Sequence, residues 1–292
     1  MADNPHPASY RDPAWHVFLR DDAVYRQVNR SYQADYERLM SSGLYDSLTR
    51  NGRLLPHAET DLVGTDDGAW KVIRPSQLSF ISYPYEWCFS QLKEAALLTL
   101  DIQRECMDKG MSLKDATPFN VTFNLHNKPV FIDTLSFETY RPEDPWIAYH
   151  QFCSSFLAPL LLASKRDPDL IRLLALHPDG VPLDLSAKLL PGSTRFQPLS
   201  ALHIHLPARM TPGKGPDKKI LFSKEKLQRV IDHLRSGISG LRSEGPSTWS
   251  GYYDGTILGN GYLEVKKEAV KTILHGRDIA TVFDAGCNTG EF

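Results

Sequence analysis

The chain has little of what marks the more specialised protein classes. It holds only 4 cysteines in 292 residues, with no CxxC pair and no neighbouring histidine group. That argues against both a disulfide scaffold and a structural zinc site. It lacks a long apolar run: the most hydrophobic stretch, FLAPLLLA (156–163), is too short to cross a bilayer and contains Pro159. No basic segment followed by an apolar one opens the sequence, so no secretory signal is read there, and a reduced, cytoplasmic protein is expected. Net charge is also missing, at a formal −2, so there is no clear nucleic-acid signature and no field drawing the chain to an anionic membrane. Neither G-x-G-x-x-G nor a P-loop occurs, since the GKG at 213–215 has no strand before it and no Ser or Thr after its lysine. Internal repeats are absent.

What is present is the balance of a soluble globular protein, 41% hydrophobic and 23% charged. Val24, Val28, Tyr32, Tyr36 and Leu39 have the spacing of an amphipathic helix that breaks near Ser41-Ser42-Gly43. A strand is expected at AWKVI (69–73). A helix follows in the segment 82–110, with Pro84 near its start, Gly110 past its end, and Leu92, Ala95, Ala96, Leu100 and Cys106 on its core face. VTF and PVFI flank the polar 124–128 and predict a β-hairpin with a five-residue loop. Helices are read at 146–164 and 168–176. Proline and glycine then increase towards PARMTPGKGPDKK (207–219), a mobile basic linker. Ser223 caps a helix whose stripe is Leu227, Val230, Ile231, Leu234, Ile238 and Leu241. A second helix closes at Gly276, and TVFD (281–284) reads as a strand.

Two constellations carry chemistry. In the first, KDATPFN sets Asp115 five positions before Asn120, and the hairpin's second strand ends at Asp133. Phosphoryl transfer needs a carboxylate to orient the attacking hydroxyl, and an amide oxygen plus a second carboxylate to hold a metal. The order Asp-x4-Asn, hairpin, Asp resembles the catalytic region of protein kinases and aminoglycoside phosphotransferases. That resemblance implies Asp115 as catalytic residue, Asn120 and Asp133 as magnesium ligands, and ATP as the nucleotide, if the site is active. Lys71 and Glu86 are candidates for the lysine–glutamate pair. The departures are MSLK before Asp115, Thr134-Leu135 after Asp133, and the missing glycine-rich loop. A scaffold or binding module of kinase-like shape, without transfer chemistry, fits these departures best.

In the second, FDAGCNTGEF places Asp284, Gly286, Asn288 and Gly290 at alternating positions after the expected strand. Such a loop lets the backbone approach a ligand at the carboxyl edge of a parallel sheet. D-x-G-x-N-x-G resembles the first motif of class I S-adenosylmethionine-dependent methyltransferases, which implies that these four residues contact the cofactor. SYPYEW, LKDATPFNV, PVFIDTLSFE and FDAGCNTGEF occur in the same order in a bacterial methyltransferase family with a kinase-like N-terminal region, some of whose members are labelled nodulation proteins.

The fold class expected from this is α+β: a two-lobed, kinase-like domain over 1–200, a linker over 201–220, and over 221–292 the helices and first strand of a Rossmann-like methyltransferase domain. The stop after the glycine loop predicts a C-terminally truncated enzyme, with its remaining strands and its small-molecule or other methyl-acceptor site missing. This chain alone is therefore expected to be inactive, with S-adenosylmethionine binding below detection by calorimetry. Trp249, Tyr252 and Tyr253 suit either a sulfonium pocket or a core.

Overall fold

Two aspartates make the first decisive turn. Asp21 and Asp22 both take positive φ, 50° and 58°, the geometry that a two-residue hairpin needs for its turn to match strand twist. In this computed structural model, which describes residues 6, 9, 12–209, 223–243 and 261–286, that turn joins β1 (Trp15–Arg20) to β2 (Ala23–Asn29). The pairing is antiparallel, with Arg20 opposite Ala23. The helix expected from Val24 is therefore a strand as far as Asn29. The spacing of Val24 and Val28 suits either period, and pairing with β1 decides it. Helix begins only after a 3-10 turn, as α1 (Gln33–Ser41), with α2 (Leu44–Arg50) following Gly43 at φ 73°.

Two further strands, β3 (His57–Thr60) and β4 (Ala69–Pro75), complete an antiparallel sheet in the order β1-β2-β4-β3. The expected strand at 69–73 is β4. Helix α3 (Phe89–Asp108) then runs through the core, and Gly110 at φ 72° lets the chain reverse. Its core-face residues Leu92, Ala95, Ala96, Leu100 and Cys106 are each 0% exposed.

Short strands follow: β5 (Met111–Leu113), the hairpin β6 (Val121–Phe123) and β7 (Pro129–Phe131), and β8 (Phe137–Thr139), which returns to β5. Phe123 pairs with Pro129, which leaves the five-residue loop the sequence predicts. Beyond them lie α4 (Tyr149–Phe152), a π turn (Cys153–Leu157) and α5 (Ala158–Lys165), then α6 (Leu173–Leu176), α7 (Leu183–Leu189) and α8 (Pro198–Ser200). Another π turn, Ala201–His205, ends this stretch. The start of the expected linker is thus packed structure, because Ile204 is fully buried in the main core. The basic segment 210–222 lies outside the described residues.

Helix α9 (Lys224–Ser239) is capped by the Ser223 hydroxyl as expected. Leu227, Ile231, Leu234, Ile238 and Leu241 join the same core as α3. Lys93 Nζ donates to the carbonyls of Ser239 and Leu241 at 2.7 and 2.9 Å. The chain divides into two compact units, Met1–Ser243 and Glu244–Phe292. An amphipathic helix settles where its stripe is buried.

In the second unit, α10 (Tyr262–Leu274) ends at Gly276, φ 75°. The strand expected at 281–284 is absent: these residues form no ladder, and Val282 and Phe283 are 63% and 91% exposed. A β-strand exists only through a paired neighbour, and among the described residues none lies beside it.

Ile231→Ala, emptying a fully buried site on α9, is expected to cost about 2–5 kcal/mol in urea unfolding, whereas Lys224→Ala should be neutral. An unchanged midpoint for the isoleucine variant would show that α9 is not part of the first unit's cooperative core.

Candidate functional site

Backbone pairing brings the three predicted polar residues of the first unit together. Thr117 caps the 3-10 turn Pro118–Asn120 through its side chain, which fixes the exit from the loop carrying Asp115. The Asn120 carbonyl then accepts the amide of Ile132 at 2.8 Å, so Asp133 emerges beside Asn120 at the end of β7. Asp115, Asn120 and Asp133 line one cavity of about 280 Å³, together with Trp15, Lys114 and Ser136 among others.

The groups there are already engaged with the protein. Asp133 is nearly buried and forms an ion pair with Arg26 from β2. The Leu135 amide donates to that same oxygen, Oδ1, at 3.1 Å, and the other, Oδ2, accepts the Ser136 hydroxyl. Arg26 also reaches the Ile132 carbonyl, 3.3 Å away, and stacks 5.1 Å from the centre of the Trp15 ring. The Asn120 amide nitrogen donates to Ser136 Oγ at 3.0 Å.

Asp115 accepts the Thr117 amide at 3.2 Å. Burial, and after it the Asp133 carboxylate, raises the Asp115 carboxyl above its ordinary range, against hydrogen bonds from Gln151 and others. At the rim, Lys114 pairs with Asp12 at 2.8 Å and lies 4.7 Å from the Tyr32 ring centre. Burial opposes ionisation of Asp12, but the Lys114 bonds prevail and lower its pKa.

The lysine–glutamate candidate is not formed. Lys71 pairs with Glu59 of the neighbouring strand at 2.6 Å, while Glu86 folds back to accept the Tyr83 amide at 2.7 Å. The reason is local: β3 sets Glu59 next to β4, and a capping box closes the turn Pro84–Glu86. Glu59 also accepts from Tyr36, whose hydroxyl meets His57 at 2.8 Å. Burial first, offset in part by Glu59, depresses the His57 pKa to about 4. Lys71 thus belongs to a network under the sheet and not to the cavity.

Arg26 is the cation that sequence reasoning missed. The spacing of Val24 and Val28 reads as helix across its segment, which conceals it. In a strand read from the Asp-Asp turn, its alternation with Val28 would have made it a candidate. Ser136 had a weaker signal, three residues after Asp133. In the second unit, Asp284 is exposed and Gly286 has φ 85°. Asn288, Gly290, Trp249, Tyr252 and Tyr253 lie outside the described residues. Among the described residues no group of three or more His, Cys, Asp or Glu is placed to hold a metal, and no helix is long and apolar enough to cross a membrane.

No protein-family model matches the chain. Over its whole length it is similar to nodulation protein NoeA of Rhizobium meliloti (strain 1021), with 33% identity across 312 aligned residues. The chain spans 64% of that relative's length. Solved structures with some likeness include the bifunctional kinase-methyltransferase WbdD, at 14% identity over 68% of this chain and 48% of that one, TM-score 0.35. WbdD bound to the kinase inhibitor LY294002 gives 13% identity over 68% and 49%, again at 0.35. At that TM-score the likeness carries no argument about fold or chemistry.

Three variants test the site's electrostatics. Arg26→Ala strands a buried carboxylate and should destabilise by about 3–5 kcal/mol, whereas Arg26→Met with Asp133→Leu should cost far less. Equal losses in denaturant melts would contradict this. Asp115 titrates higher folded than unfolded, so its contribution to stability is present at acid pH and lost as pH rises through the folded value. Asp115→Asn is therefore expected to stabilise near about pH 7, with the gain vanishing below about pH 4. A gain independent of pH would refute that assignment.

Proposed function

We propose that this chain is part of an S-adenosylmethionine-dependent methyltransferase of unidentified acceptor, in which a kinase-like first unit acts as a binding module. The methyltransferase reading is carried by the loop after Asp284. Gly286 takes a positive φ of 85°, with open space where a Cβ would stand. Helix α10 precedes it, closed by Gly276. This suits a backbone held close to a ligand, and Asp284 is exposed to meet one. The similarity to a nodulation protein along the whole chain agrees with the family in which this motif order occurs. When bound, the cofactor supplies an electrophilic methyl group. The chain's contribution at this loop is to hold and orient it, with Asp284 accepting its N–H or O–H groups.

The binding-module reading rests on Arg26. A magnesium ion at the first cavity would need Asn120 and Asp133 as oxygen donors. Asp133 has both oxygens committed, one of them to a guanidinium, and Asn120 turns its amide nitrogen to Ser136. This donor set does not fit a magnesium–nucleotide complex, so no phosphoryl-transfer step is derived. The cavity retains hydroxyl, carboxyl and aromatic groups, which suits retention of a polar ligand.

Joining the whole chain, residues 1–292, to the portion of the nodulation protein left unmatched gives a chimaera for the first test. It is expected to bind S-adenosylmethionine, with affinity about ten-fold lower in Asp284→Ala, a loss of about 1.4 kcal/mol. A cooperatively folding chimaera with no calorimetric signal would overturn the methyltransferase reading. For the first unit, magnesium with ATP should leave the melting temperature unchanged. A magnesium-dependent rise abolished by Asp133→Ala would restore the phosphotransferase reading.

A further inference from the structure

A second recess in the first unit, lined by Ser112 of β5 and Glu138 of β8 among others, has no part in the function proposed above. Its volume is about 220 Å³, about seven waters' share of liquid volume, which suits a small organic molecule and not a nucleotide or a peptide. Its lining combines the apolar Trp146 and Leu227 with the polar Glu138, Tyr140, Arg141 and Asp144. Trp146 is held in place, since its indole nitrogen donates to the Leu113 carbonyl at 2.7 Å.

Two observations bear on what would enter. The Tyr140 hydroxyl is buried and meets no hydrogen-bond partner among the described residues. A buried polar atom left that way is costly, and a ligand that bonds to it recovers the loss. The second is the sign of the local charge. Burial, followed by the Asp35 carboxylate, raises the pKa of Glu138, and Asp144 acts in the same sense while Arg141 and Lys114 oppose. A positive charge at that point would relieve the carboxylate.

We propose that this recess binds a small organic ammonium ion, its N–H groups shared between Glu138 and the Tyr140 hydroxyl and its hydrocarbon body against Trp146 and Leu227. An anion is disfavoured by Glu138 and Asp144, and a neutral alcohol of the same shape leaves the carboxylate without a counter-charge. Arg141 sets the limit on affinity, because it competes with the ligand for the same field.

The test is a titration of the protein with 2-phenylethylamine and, separately, with 2-phenylethanol, following the indole N–H resonance of Trp146. The amine is expected to give a saturable shift and to bind about ten-fold more tightly than the alcohol. Glu138→Gln should bring the amine down to the alcohol's level, and Tyr140→Phe should weaken it by about three-fold. Exposed Arg141→Ala, which leaves the fold untouched, should tighten amine binding. Equal binding of amine and alcohol, no saturable shift with either, or an Arg141→Ala variant that weakens the amine would each overturn the proposal. None of these results bears on the methyltransferase reading.

Discussion

The first unit is organised around a charge brought inside. Asp133 follows β7 and is almost fully buried, where an unpaired carboxylate would be strongly unfavourable. Arg26 neutralises it from the far side of the molecule in sequence, 107 positions away. That one ion pair links the antiparallel sheet to the hairpin segment, and the Arg26 bond to the Ile132 carbonyl reinforces the link. Because Ser136 completes the second carboxylate oxygen and Asn120 leans on Ser136, the whole polar cavity is arranged around it. Buried charges persist only when every partner is in place.

Around that polar centre the apolar packing is conventional. Helix α3 is the axis, and α9 lies along it with additional polar ties at the surface, such as Arg235 with Asp101. Two π turns, Cys153–Leu157 and Ala201–His205, sit in the helical half. His203, from the second, bridges the Tyr149 hydroxyl at 2.6 Å and His233 of α9 at 2.8 Å. Burial, and then His233, keep its pKa near 4, so the bridge operates as neutral imidazole at ordinary pH. It ties α4, the segment after α8 and α9 into one body.

Much of this was legible beforehand where a local signal and a burial pattern agreed. Pro84, Gly110 and the stripe from Leu92 to Cys106 defined α3. Ser223 and its stripe defined α9, and the polar 124–128 defined the β6–β7 loop. The misreadings share a cause. Val24 and Val28 suited both periods, and only the pairing of β2 with β1 chose between them. Thr281–Asp284 has strand-forming residues but no described neighbour to pair with. Residues 201–209 are helical and packed, because Ile204 finds a core that no property of the segment itself discloses.

By itself, then, the sequence determined the elements whose capping and periodicity are local: α3, α9, α10 and the β6–β7 hairpin. It also placed Asp115, Asn120 and Asp133 near one another, since a short hairpin separates them. What only the tertiary structure decided is which cation meets Asp133 and where α9 is buried. Arg26 and Asp133 lie on distant segments whose approach depends on sheet order and register. Local propensity is settled within a few residues, whereas electrostatic pairing across the fold is settled only when all the strands have found their partners.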